Sequence, residues 1–89
     1  MSIQSFDCPD TEALFRSGRC ARFANIAKVA TRKLQMLDSA TTIGFMRMPP
    51  GNDLKEYGGV WHVRINDQWR LTFSWGDAGP AKVRIEDPH

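Results

Sequence analysis

The stretch from Trp61 to Ile85 restricts the fold more than any other part of this chain. Trp61, Val63 and Ile65 alternate with His62 and Arg64, and Trp69, Leu71, Phe73 and Trp75 alternate with Arg70, Thr72 and Ser74. After Gly76-Asp77-Ala78-Gly79-Pro80, Val83 and Ile85 alternate with Lys82, Arg84 and Glu86. Successive strand side chains point to opposite faces, so this pattern predicts three antiparallel strands, each with one apolar and one polar face. Directly opposed residues share a face, so the apolar sets must pair with each other. Pairing Ile65–Trp69, Val63–Leu71 and Trp61–Phe73 requires a first turn of three residues, Asn66-Asp67-Gln68. A two-residue turn would set Val63 against Arg70. The second turn, residues 76–80, is expected to pair Trp75–Ala81, Phe73–Val83 and Leu71–Ile85.

The same register puts Arg64 opposite Arg70 on the polar face, with His62 and Arg84 flanking Thr72. Opposed like charges cost roughly a few tenths of a kcal/mol to 1 kcal/mol, with Glu86 expected to relieve Arg70 from the other side. A face where Arg64, Arg70, Arg84, Lys82 and His62 converge suits a phosphate backbone, which arginine grips bidentately. It equally suits an ordinary solvated sheet face, and the residues alone leave both readings open.

Upstream the period changes. Phe23, Ile26, Ala30, Leu34 and Leu37 fall at steps of 3, 4, 4 and 3, which predicts an amphipathic helix from about Arg22 to Asp38. A shorter helix is expected between the start signature Asp7-Cys8-Pro9-Asp10 and the stop at Gly18. Ile3-Gln4-Ser5-Phe6 alternates and reads as a short first strand. Residues 39–53, with Met48-Pro49-Pro50-Gly51-Asn52, read as a turn of helix and a loop. Helices first and a meander afterwards make an α+β fold of two layers, an antiparallel sheet packed on N-terminal helices.

With 89 residues, the chain is expected to form one domain, residues 1–89. Its longest apolar runs are too short for a membrane span, and no secretory signal is read at its start. Cys8 and Cys20 match no zinc spacing and are expected to be reduced thiols in a cytoplasmic protein. The net charge of +2 hides an asymmetry, because residues 16–47 carry seven bases and one acid while the remainder is net −4. Such a segment can seek nucleic acid or an acidic partner, or be a solvated helix face.

No phosphate loop, metal cluster or nucleophile elbow is present. The titratable groups on and around the polar face are Lys55, Tyr57, His62, Asp87 and His89. Metal-free RNA cleavage needs a base for the ribose 2′-hydroxyl, an acid for the leaving 5′-oxygen and cations for the phosphate. Side chains of these types can supply all three without a cofactor.

The stretch Val63-Arg64-Ile65-Asn66-Asp67-Gln68-Trp69-Arg70-Leu71-Thr72-Phe73 resembles the signature strand pair of the plasmid-maintenance killer family, the HigB toxins of the RelE-like superfamily. The resemblance extends through Lys33-Leu34-Gln35-Met36-Leu37-Asp38, Pro49-Pro50-Gly51-Asn52 and the ending Ile85-Glu86-Asp87-Pro88-His89. It implies a small α+β toxin that cuts messenger RNA on the ribosome, without metal or cofactor, using the 2′-hydroxyl as nucleophile. It also implies a helix-turn-helix, HigA-like antitoxin that holds the toxin inactive, contact with DNA only through that antitoxin, and no membrane. Carried over, Arg70 matches the arginine that stabilises the scissile phosphate, and Arg64 a strand arginine facing the RNA. Asp87 and His89 match two members of the C-terminal Asp-Tyr-His ending, with His89 the acid–base candidate. Lys55, His62, Arg84 and Lys82 complete the expected RNA-binding set. The +6 segment is expected to meet ribosomal RNA, with the antitoxin competing for part of that surface. Pro88 replaces the family tyrosine, and the 54–59 loop is shorter and less basic than in the family. Those two departures support a second reading, a weak or inactive homologue that binds antitoxin and RNA and modulates operon repression.

Overall fold

A computed structural model describes residues 2–88. Helix α1 spans Pro9–Ser17. Pro9 opens it where a missing N–H costs nothing, and Asp10 and Glu12 sit in the first turn, at the positive end of the helix dipole. Gly18 ends it at φ 74°, its N–H donating to the Leu14 carbonyl at 2.8 Å. Only glycine adopts that left-handed cap without strain.

The second helix, α2, spans Ala27–Ser39 rather than 22–38. Residues Ala21–Phe23 form a separate 3₁₀ turn, and Ile26, at φ −122° and ψ 5°, leaves the helical region. No glycine or proline marks this break. Packing carries it: Phe23 is buried and meets the ring of Trp69 edge-on at 5.4 Å. All five residues of the apolar stripe, Phe23, Ile26, Ala30, Leu34 and Leu37, nevertheless lie in the core. Two further 3₁₀ turns, Ile43–Arg47 and Pro50–Asn52, lead to the sheet.

The sheet has four strands in the order β1 (Lys55–Tyr57), β2 (Val60–Arg64), β3 (Arg70–Gly76) and β4 (Gly79–Glu86). Trp61↔Phe73, Val63↔Leu71 and Arg64↔Arg70 are partners, as the three-residue turn requires. Asn66 builds that turn: its side-chain oxygen accepts the N–H groups of Gln68 at 2.9 Å and Trp69 at 2.7 Å. Val63, Leu71, Phe73, Val83 and Ile85 are buried together with the α2 stripe. Two layers around one core result.

Two expectations are corrected here. β1 falls in a segment read as a loop. It pairs antiparallel with β2, joined by Gly58 at φ 58° and Gly59 at φ 87°. Two consecutive positive φ angles make the two-residue turn that matches strand twist, so Gly58-Gly59 was a hairpin signal. The last hairpin also differs. Gly76 pairs with Gly79, Trp75 with Pro80 and Ser74 with Ala81, rather than Trp75 with Ala81. Continued unchanged, that tighter register would bring Arg84 opposite Leu71 and onto the core face. A bulge between Thr72 and Ser74, with Lys82 at φ 53°, absorbs one residue and restores Leu71↔Ile85.

The expected first strand is an extended segment bridged once, at Phe6↔Val83, parallel to β4. Gln4 N–H donates to Pro80, Val83 N–H to Ser5 and Asp7 N–H to Val83, at 2.8–3.1 Å. Further along that edge the buried Thr11 hydroxyl accepts the Ile85 N–H at 2.9 Å. The outer edge of β4 is thereby covered, which removes an unpaired strand edge.

Candidate functional site

β1, β2 and β3 present one polar face, and a cleft of about 340 Å³ opens on it. Asp53, Lys55, Tyr57, His62, Arg70 and Pro88 line it. Strand alternation explains the convergence. Lys55 and Tyr57 are two residues apart on β1, and Lys55 lies opposite His62, which lies opposite Thr72. Arg70 enters from the first position of β3.

The opposed Arg64 and Arg70 are tolerated because each guanidinium turns to the hairpin that joins their strands. Arg64 donates to the Asp67 carboxylate, and Arg70 donates to the backbone carbonyls of Asn66 and, at 3.1 Å, Trp69. Carbonyl anchoring fixes the Arg70 head group without neutralising it. Glu86 stands opposite Arg70 on β4, as expected, but its carboxylate forms its ion pair with Arg84 at 3.2 Å. Lys55 pairs loosely with Asp53 at 3.5 Å, and both side chains are half exposed. The Tyr57 and His62 rings meet nearly perpendicular with centroids 5.0 Å apart.

A hydrogen-bonded link from α2 precedes the cleft residues in the chain. Lys33 of α2 donates to the side-chain oxygen of Asn52, whose amide donates in turn to the Met46 carbonyl at 3.0 Å. Asn52 is buried and directly precedes Asp53, so this link fixes the approach to β1. Burial lowers the Lys33 pKa below the usual lysine value, and the Arg64 and Arg32 guanidinium groups add to the effect. Ahead of α1, burial opposes ionisation of the Cys8 thiol. The Thr11 hydroxyl, the N–H groups of Thr11 and Asp10, and Arg22 outweigh it and lower the thiol pKa. Cys8 and Cys20 are both free.

Of the residues singled out in the sequence, Lys55, His62 and Arg70 come together in the cleft, and Arg64 stands beside Arg70. Lys82 and Arg84 line a neighbouring groove of about 230 Å³ with Asp7, Thr72 and Ser74. Asp87 accepts a hydrogen bond from the Gln68 side chain at 3.3 Å, which ties the C-terminal segment to the β2–β3 turn. His89 lies outside the described residues. Asp53 was not foreseen; its place depends on the Lys33–Asn52 link, which sequence spacing does not reveal. Among the described residues no group of three or more His, Cys, Asp or Glu could hold a metal ion, and no helix is long and apolar enough to cross a membrane.

Comparison with known proteins agrees with this architecture. Residues 6–89 match the family model described as a RelE-like toxin of the type II toxin–antitoxin system HigB. The chain is 39% identical over 70 residues to Toxin HigB-1 of Vibrio cholerae serotype O1, covering 74% of this chain and 73% of that protein. It is 30% identical over 70 residues to an uncharacterized protein of Haemophilus influenzae, covering 74% and 68% of the two chains. A toxin of this kind implies an antitoxin partner. The chain belongs to the HigB family of RelE-like toxins of type II toxin–antitoxin systems.

Proposed function

We propose that this toxin is a metal-independent endoribonuclease that cuts messenger RNA on the ribosome. The supporting observation is the meeting of Arg70, Lys55 and His62 in one cleft with Pro88, next in sequence to Asp87 and His89. In the proposed reaction a base takes the 2′-hydroxyl proton and the 2′-oxygen attacks the adjacent phosphorus. The new P–O2′ bond forms as the P–O5′ bond breaks, and an acid protonates the leaving 5′-oxygen. Arg70 stabilises the charge that builds on the phosphoryl oxygens, where a preorganised cation contributes most. His89 exchanges a proton with an RNA oxygen, and Asp87, two residues earlier in the sequence, is the second, carboxylate-bearing catalytic candidate of the C-terminal ending. Lys55, His62, Arg64, Lys82 and Arg84 hold the flanking backbone.

The antitoxin partner is of the helix-turn-helix, HigA-like type, and the toxin acts in the cytoplasm as a single domain. Docking on the ribosome uses the basic segment 16–47, whose Arg22, Lys28 and Arg32 are exposed. Binding there weakens steeply with salt, because each neutralised phosphate releases counterions.

One observation favours a second reading. Pro88 lines the cleft and carries no transferable proton, and losing a proton-transfer group costs about 10²–10⁴-fold. A homologue weakened in this way would chiefly bind antitoxin and RNA and tune operon repression. Primer extension on translating ribosomes separates the two. Codon-positioned cuts that vanish in Arg70→Ala support the enzyme; cuts persisting at full rate in that variant refute this active site. No cuts with the wild-type chain favour the second reading.

A further inference from the structure

β1 buries none of its three side chains. Tyr57, the only tyrosine of the chain, is 60% exposed there. Its location is nonetheless well specified. The Gly58-Gly59 turn sets it opposite Val60, and its ring meets His62 nearly at right angles. One ring contact orients the phenol while most of its surface stays open beside Lys55 and Arg70. Proteins that bind single-stranded nucleic acid combine these two elements: an aromatic face for a base and cations for the backbone.

We infer that Tyr57 is a stacking platform for an unpaired RNA base next to the phosphate held by Arg70. The cleft then grips a base as well as the backbone, and it excludes duplex RNA, whose bases are already stacked. This inference rests on the proposed reading of the cleft as an RNA site. The ring, rather than its hydroxyl, is the working part.

The test measures binding of a short fluorescent single-stranded oligoribonucleotide to the full chain by anisotropy. Tyr57→Ala should weaken binding by about 5- to 150-fold, the loss expected for one stacked base. Tyr57→Phe should retain wild-type affinity. The salt dependence of Tyr57→Ala should match wild type, because no phosphate contact is lost, whereas that of Arg70→Ala should be shallower. An oligomer abasic at the stacked position should bind wild type and Tyr57→Ala alike. If Tyr57→Ala binds normally while Arg70→Ala does not, the stacking inference falls and the RNA site stands. Equal losses in the Phe and Ala variants would assign the effect to the hydroxyl and overturn the inference. Unchanged RNA affinity with lost antitoxin binding would give the ring to the protein partner and also overturn it. If wild type binds no RNA under any salt condition, the cleft reading and this inference fall together.

Discussion

Lys33 on α2 and Asn52 at the end of the Pro49-Pro50-Gly51-Asn52 turn are joined by a hydrogen bond between their side chains. The bond crosses from the helical layer to the segment that leads into β1. Asn52 also donates to the Met46 carbonyl, so one buried amide satisfies partners on both sides.

Replacing Asn52 with Ala should therefore leave the Met46 carbonyl without this donor. An unsatisfied buried polar group costs about 1–3 kcal/mol. Urea denaturation should show a lower midpoint with an unchanged slope. The cleft should also loosen, read as lost toxicity at temperatures where the variant remains folded.

The Lys33 charge gives a pH signature. Its folded pKa is lowered, by burial first and then by Arg64 and Arg32. The unfolded chain therefore binds more protons between the folded value and the ordinary lysine value near 10.4. Stability contributed by this group rises with pH across that window and is flat outside it. Lys33→Gln should remove this rise, seen as the difference between the two proteins' denaturation midpoints through the alkaline range. A parallel pH course for both would contradict the assignment.

Thr11 should be needed for its hydroxyl rather than its shape. Thr11→Val keeps the volume but strands the buried Ile85 N–H, which now donates to Thr11 at 2.9 Å. The expected cost is about 1–3 kcal/mol, with faster amide exchange at Ile85 measured by NMR. Leu71→Ala, by contrast, opens the core itself and should cost about 2–5 kcal/mol.

The β1 hairpin should separate activity from stability. Gly58→Ala and Gly59→Ala force side chains into left-handed backbone, at roughly 1–2 kcal/mol each. Because β1 buries no side chain, global unfolding should change less than growth inhibition. Equal retention of toxicity would mean that Lys55 and Tyr57 need not be held in place.

Side-chain alternation alone determined the two central strands, the three-residue turn and the opposed Arg64 and Arg70. Period-2 patterning admits one register once one face must be apolar, and Val63 could not be left facing Arg70. The apolar stripe of α2 was equally legible, because burial follows helical spacing even where the helix breaks at Ile26. Other features came only from the fold. The α2 start depends on Phe23 packing against Trp69, a contact between residues 46 positions apart in the chain. The bulge at Lys82 follows from a turn tighter than the alternation required, which left one residue to absorb. The cleft needed β1 to fold beside β2 and Asn52 to be caught by Lys33. Local sequence records which face a residue prefers; it does not record which distant donors and edges will satisfy it, and those choices placed Asp53 and Tyr57 beside Arg70.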